Sequence, residues 1–342
     1  MNGNYIKIVC LVLIMFVAPS CQTIFEDVTG DGVDPTLVNL ELQVELDLES
    51  VSDFADYDGT QTLSKSDIYN FRVIVEMYEL SNIDEIAIRD VYYQSYDDIE
   101  NFSFSKSFSL YAKEYRVLIW ADVVDNIEDR DLFYNTADLN NIVPTDPYKG
   151  GSDLKHCFAE MVDIDLTPYR DEWNVIYKVE NIMERPLARF EIITNDLEQF
   201  LEEQTKVLSE TSETKADVNL ENYTIKLQYD GYMPYGYNVE TDLPNRAEQG
   251  IEFTTYLEPT SDGEARLSFD HLFVNHTESS VTVSMIVYNE FGEIATQTNS
   301  ITIPLKRNKN SVVEGDFLTR SYVPGVSLDP SFDGDIEIWI GD

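Results

Sequence analysis

Val38-Asn39-Leu40-Glu41-Leu42-Gln43-Val44-Glu45-Leu46-Asp47-Leu48-Glu49 alternates apolar and polar residues without a break. A period of two puts every apolar side chain on one face and every polar one on the other, so the stretch reads as a β-strand with one wet face. Outward from it, residues 52–66, rich in Asp, Gly, Thr and Ser, form a loop leading to a second strand at 71–78. Further runs at 102–110, 115–120, 175–179 and 187–194 read as strands, each bounded by polar or turn-forming residues. Many short strands with little helix predict an all-β chain of the antiparallel sandwich type.

Between residues 195 and 213 the pattern changes, because Leu197, Phe200, Leu201, Val207 and Leu208 fall near helical spacing amid Glu, Gln and Lys. Asn195 or Asp196 can cap such a helix. This predicts a short helical connector that ends a first domain, followed by a Ser/Thr/Glu linker over 209–217. Strand-like runs resume at 223–227, 251–257, 265–274, 281–288 and 294–304, with a hairpin turn around Phe291-Gly292 and a final alternating run at 335–340.

The N-terminus carries a lone Lys7, an apolar run from Ile6 to Val17, then Ala18, Pro19 and Ser20 before Cys21. Charged, apolar and small residues in that order make a secretory signal, and the run is too short to span a bilayer. A cysteine directly after the cleavage site predicts lipidation at Cys21, with ordinary cleavage or an uncleaved anchor as the other readings. Phe25, Glu26 and Asp27 open an acidic, Gly-rich tether similar to the stretch that follows the lipid cysteine in surface-exported lipoproteins of Bacteroidetes. About 320 residues then remain, more than one comfortable core, so two domains are expected. The division reads as a signal peptide at 1–20, a lipidated acidic tether at 21–36, a β-sandwich at 37–200, a connector at 201–217 and a second β-sandwich at 218–342.

The formal net charge is −41, with 64 acidic residues against 23 basic ones. Such a field repels phosphate backbones and no basic stripe offsets it, which argues against a nucleic-acid partner. It suits solubility at a cell surface; the sharper alternative is a cation-loaded adhesive face. Asp27, Asp31 and Asp34, and Asp125, Glu128, Asp129 and Asp131, are acidic clusters, but neither has the ligand spacing of an EF-hand loop. Cys10 leaves with the signal and Cys21 takes the lipid, so Cys157 has no disulfide partner and reads as a small buried residue.

No Gly-x-Ser-x-Gly, His-Glu-x-x-His, Cys-x-x-Cys or phosphate-cradling loop occurs. His156, His271 and His276 have no ligand spacing, so neither a metal nor any other cofactor is expected. The chain reads as non-enzymatic. Tyr229, Tyr232, Tyr235 and Tyr237 crowd one segment with Gly231, Pro234 and Gly236, and rings with polar tips suit sugar stacking. The competing reading is that these rings fill an interface between sandwiches. Lys306, Arg307 and Lys309 form the one dense basic cluster, read as a solvated turn or as a docking patch for an acidic neighbour.

Several segments together resemble the fimbrillin superfamily of Bacteroidetes, in a branch of fimbrillin-like lipoproteins of unknown-function domains. They are residues 115–122 (YRVLIWAD) with 133–136 (FYNT), residues 185–190 (RPLARF) with Thr194 and Asp196, residues 303–308 (IPLKRN), residues 315–319 (GDFLT), and residues 332–335 (FDGD). Their order and spacing cover nearly all of the chain beyond the leader. The resemblance implies two transthyretin-like β-sandwiches in tandem, and a fimbrial subunit, tip, anchor or free surface lipoprotein. Its implied partners are the outer membrane through a lipid, other fimbrillin-like subunits, and host or bacterial surface ligands. A glycan-binding lipoprotein of a polysaccharide-uptake system is the alternative function. In polymerising members a protease cuts after an arginine beyond the first strand, and a donor strand from the next subunit fills the groove. Here no arginine occurs between Cys21 and Arg72, and Lys65 is the only basic residue in that interval. That favours a subunit that keeps its lipid and first strand, or maturation by another protease.

Overall fold

The computed structural model describes residues 37–47, 69–96, 102–127, 130–211, 219–261, 263–319 and 336–340. The signal peptide, Cys21, the tether and the acidic cluster at Asp27, Asp31 and Asp34 lie outside these residues. Two β-sandwiches follow one another along the chain. In the first, one wall has the order β4 (Ser103–Tyr111), β1 (Leu37–Leu46), β9 (Ile176–Met183). The facing wall has the order β3 (Ile86–Ser95), β2 (Tyr69–Glu79), β5 (Glu114–Asp125), β8 (Cys157–Asp165). A small ribbon, β6 (Tyr134–Asn135) with β7 (Val143–Pro144), lies in the connection from β5 to β8.

The second sandwich has one wall in the order β15 (Glu258–Ser261), β16 (Glu264–Phe273), β10 (Leu187–Thr194), β20 (Asn310–Gly315), β21 (Ile336–Ile340). Its other wall runs β14 (Glu252–Tyr256), β11 (Thr224–Tyr229), β17 (Ser279–Tyr288), with β18 (Ile294–Gln297) and β19 (Ile301–Leu305) both paired to β17. A ribbon of β12 (Met233–Asn238) and β13 (Leu243–Glu248) stands beside it. Most ladders are antiparallel, but β1 with β9, β10 with β20, and β20 with β21 are parallel. The final alternating run therefore pairs inside its own half of the chain, at the edge of its sheet among the described residues.

The pairing of β10 corrects the expected boundary. Residues 187–194 stand in the sequence before the connector, within the span 37–200, yet β10 lies between β16 and β20 of the second sandwich. Its Ala188, Phe190 and Ile192 point into the second core, together with Leu197 and Phe200 of helix α1 (Leu197–Thr211). The helix thus follows the first strand of the second sandwich instead of joining the two. Asp196 ahead of it receives the backbone N–H groups of Leu318 at 3.1 Å and Thr319 at 2.7 Å, which ties two of the quoted motifs together.

A third core joins the halves. Ile74 of β2 and Leu118 and Trp120 of β5, on the outer face of their wall, pack with Phe133, Tyr134, Leu139 and Ile142 and with Leu187, Tyr237, Val239 and Phe273. Burial on both faces removes the need for alternation, which is why β2 and β5 read as nearly continuous apolar runs. It also encloses charge. Arg72 forks onto Asp122, Nε to Oδ1 at 2.9 Å and Nη2 to Oδ2 at 2.7 Å, and adds Asp131 at 2.6 Å. Arg89 pairs with the fully buried Glu76, which also accepts the Tyr78 hydroxyl at 2.7 Å. Buried charges are tolerated when their hydrogen bonds are complete, and removing one partner is costly.

Candidate functional site

The first candidate site is the slot filled by β1. Val38, Leu40, Leu42 and Val44 are fully buried and Leu46 is 7% exposed, all facing Phe71, Val73, Val75, Val117 and Ile119 of the opposite wall. Backbone ladders hold β1 on both sides, from Leu37↔Tyr111 to Glu45↔Ser103 with β4 and from Asn39↔Ile176 to Leu46↔Met183 with β9. The outward side chains from Asn39 to Glu45 are polar, as the alternation requires, and Glu41 pairs with Lys178 at 3.1 Å. Taking β1 away would leave an open groove lined by apolar side chains and two unpaired edges. Arg72, the first arginine after β1, is 5% exposed and sits inside β2, clamped by two carboxylates. Residues 48–68, including Lys65, lie outside the described residues.

The four tyrosines do not form one aromatic platform. Tyr229 is 2% exposed and donates its hydroxyl to Asp270 at 2.8 Å. Tyr237 is fully buried in the third core, stacked on Phe273 with centroids 5.1 Å apart, and donates to Asp242. Neither can offer a ring face to a sugar from solvent. Tyr235 is half-buried with its ring 6.4 Å from that of Tyr148, and Tyr232 alone is strongly exposed, at 69%. The reason lies in Gly236. A Cβ there would meet the Asn245 side chain at 2.5 Å and Cβ of Arg246 at 2.9 Å, so glycine lets the β12–β13 ribbon close and press Tyr237 against Ile142, with which it exchanges backbone hydrogen bonds of 2.9 Å.

Asp270 is the centre of a buried polar cluster whose members lie far apart in the sequence. It is fully buried in β16, and Lys155, 2% exposed in the segment entering β8, places Nζ 2.9 Å from Oδ1. Tyr148 donates to Oδ2 at 2.5 Å and accepts from Lys155 at 2.7 Å, with the ammonium also 4.2 Å from its ring centroid. Burial pulls the Lys155 amine below its ordinary value, with Asp270 opposing. Burial, then the charge of Asp270, pushes both phenols well above theirs. His271 is buried against His156, ring centroids 5.4 Å apart, and burial drives it well below the usual histidine range, so it stays neutral. Cys157 is fully buried and its thiol is pushed up by burial, an inert site.

Of the basic cluster, Arg307 is held internally. Arg307, 9% exposed at its side chain, bonds both oxygens of Asp242 at 2.8 and 2.9 Å and donates to the Arg185 carbonyl at 3.0 Å. It therefore joins the strand-entry motif at Arg185-Pro186 to the turn after β19 and is spent inside the protein, which corrects both the solvated and the docking readings at this residue. In the second acidic cluster Asp125 is paired with Arg130 and Asp131 with Arg72, while Glu128 and Asp129 lie outside the described residues. Among the described residues no group of three or more His, Cys, Asp or Glu is placed to hold a metal ion.

Glu160 of β8 gives a pH test of the same region. Burial, then the negative charge of Glu184, pushes its carboxyl up to about 7, against a hydrogen bond from Asn181 at 3.3 Å. An acid whose folded value lies above its unfolded value binds more protons folded than unfolded, so it lowers stability as pH rises through that window, here from 4.5 to about 7. Glu160→Gln is expected to raise the melting temperature relative to the native chain at about pH 8, with the difference closing by about pH 4. A difference that does not change with pH would refute this assignment.

Among the described residues no helix is long and apolar enough to cross a membrane. No protein of curated function matches the sequence at a significant level. Among solved structures, an adhesin candidate from Bacteroides ovatus aligns at TM-score 0.41 and 11% identity, covering 90% of this chain and 93% of that one. The tip fimbrial protein Mfa3 from Porphyromonas gingivalis, with a C-terminal truncation, aligns at 0.34 and 11%, covering 78% and 81%. A fimbrial assembly protein from Parabacteroides distasonis aligns at 0.34 and 8%, covering 81% and 90%. A family model matches residues 33–340, nearly the whole chain after the leader and tether, and on that match the chain belongs to the family of unknown function DUF6562.

Proposed function

We propose that this chain is a non-enzymatic, lipid-anchored surface protein of the outer membrane that acts in adhesion or fimbrial assembly and keeps its own first strand. The observation that carries the reading is β1 itself, a central strand with five apolar side chains sealed in the first core. A groove that needs a strand and already holds one within the chain suits a base or accessory subunit better than a shaft subunit awaiting a donor. The sequence supports this, because the segment between β1 and β2 has no arginine and Arg72 is buried in an ion-pair network. The glycan alternative loses support with Tyr229 and Tyr237 inside the protein. The strand pairing also favours a division of the chain between Met183 and Leu187 over one at the helix, and limited proteolysis that leaves a folded fragment starting near Leu187, not near residue 218, would support it.

The test is to recover the protein from the cell surface and determine its N-terminus by mass spectrometry, alongside Cys21→Ala. The expected product begins at a lipid-modified Cys21 and contains residues 37–46, and the variant leaves the membrane fraction. A surface form that begins beyond residue 46 would overturn the retained strand, and unchanged membrane retention of Cys21→Ala would overturn the anchor. Loss of adherence or of surface fibres in a strain lacking the protein is the functional readout; unaltered adherence and fibres would count against the role.

A further inference from the structure

We propose that Lys155 and Asp270 become joined by an intrachain amide bond, a covalent link between the segment entering β8 and the centre of β16. Lys155 is the one fully enclosed lysine among the described residues, and its Nζ is already in contact with the carboxylate. Water is excluded from both side chains, at 2% and 0% exposure. Amide formation by loss of water is favoured by such a site, and permanent proximity replaces the encounter that the free groups would need.

The surrounding atoms divide the labour. Oδ1 of Asp270 accepts the backbone N–H of His271 at 2.8 Å and remains as the amide oxygen, held by a donor where negative charge develops during attack. Oδ2 accepts the hydroxyls of Tyr148 at 2.5 Å and Tyr229 at 2.8 Å and is the oxygen that leaves. Tyr148 touches both reactants, since Nζ donates to its hydroxyl oxygen at 2.7 Å, so it can pass protons from the amine to Oδ2. The Nζ–Cγ bond forms and the Cγ–Oδ2 bond breaks. Two protons of the ammonium go to Oδ2, which departs as water, and no oxidant, reductant or co-reactant is required. Burial of the pair supplies the drive, because an amide carries no charge to keep away from water. Arg72 and Asp122 form an equally enclosed pair, but a guanidinium that stays protonated is no nucleophile there.

The link would close the chain between residues 155 and 270 and bind the first half to the second independently of the third core. It does not depend on the adhesion reading, since a mass measurement registers it whatever the protein binds. Full-length protein is purified, denatured, reduced and digested with trypsin. The expected product is a single species in which residues 150–170, uncut after Lys155, are joined to residues 267–306 and lighter by one water than the two peptides together. Separate peptides at full mass, with cleavage after Lys155, would overturn the proposal. Lys155→Arg keeps the charge and should abolish the joined species. Tyr148→Phe should slow its appearance after refolding by about a hundredfold, in the usual range for a lost proton-transfer group. Joining at an unchanged rate in that variant would remove Tyr148 from the chemistry.

Discussion

Deletion of residues 37–46 is expected to unfold the first sandwich, and a synthetic peptide of those residues added to the variant is expected to restore it. The five inward side chains of β1 each lose burial worth about 1.5–3 kcal/mol, so the strand carries on the order of 10 kcal/mol of apolar burial. That is an upper figure, because the unfolded chain is itself partly collapsed. It still matches the whole stability of an ordinary domain, about 5–15 kcal/mol. The loss is larger than for an edge strand, since β1 also satisfies backbone groups of both β4 and β9. Leu42→Asp makes the same point without shortening the chain, placing an unpaired charge at a fully buried position. Near-ultraviolet circular dichroism and urea titration read the result. A deletion variant with the native unfolding midpoint would show that β1 is an appendage, and would remove the observation on which the proposed function stands.

How much of this was legible in the sequence follows from how local each signal is. The alternation in β1 gave both the strand and its buried face, and the spacing of Leu197 and Phe200 gave helix α1. Strands β8 and β20 are hidden from the sequence for definite reasons. In β8 Cys157, Phe158 and Ala159 are buried in succession because both faces are covered, so no period shows. In β20 Asn310 and Ser311 are buried polar residues, and polarity reads as a loop. The place of β10 could not be read, because its partners lie in β16 and β20, far along the chain, whereas the composition shift after it is local and conspicuous. The same holds for the buried charges. Arg72 and Asp122 are 50 residues apart and Lys155 and Asp270 are 115 apart. The available clue is that Arg266 and Asp270 interrupt the strand-like run 265–274, since a charged residue in a core strand implies a partner from elsewhere.

The tyrosines show the limit of reading a segment by composition. Glycines and prolines among aromatic rings fit an exposed binding loop and a tightly folded ribbon equally well. What decides is the neighbour, and Ile142, Trp120 and Phe273 come from three other segments. That neighbourhood also says how the two sandwiches respond to damage.

Trp120→Ala is expected to cost about 3–5 kcal/mol, the usual range for removing a large buried aromatic ring. Trp120 is fully enclosed, edge-on to Tyr134 at 5.5 Å and tilted against Tyr237 at 6.2 Å and Phe273 at 6.4 Å. Its contacts come from both sandwiches, since Trp120 is in β5 and Phe273 in β16. The void cannot close by a shift of one wall, because Tyr134 and Phe273 already pack on each other at 5.4 Å and Tyr237 is pinned through Asp242. The loss therefore falls on the union of the halves as well as on the first sandwich. Calorimetry of the native chain should show one cooperative transition, and Trp120→Ala should split it into two, with Phe273→Ala adding little to the variant because both changes open the same cavity. Two resolved transitions in the native chain, with Trp120→Ala moving only one of them, would mean that the third core carries no coupling. In that case Arg116, which reaches Glu240 at 2.6 Å, and Lys155, which reaches Asp270 at 2.9 Å, would be contacts left to hold the sandwiches in register.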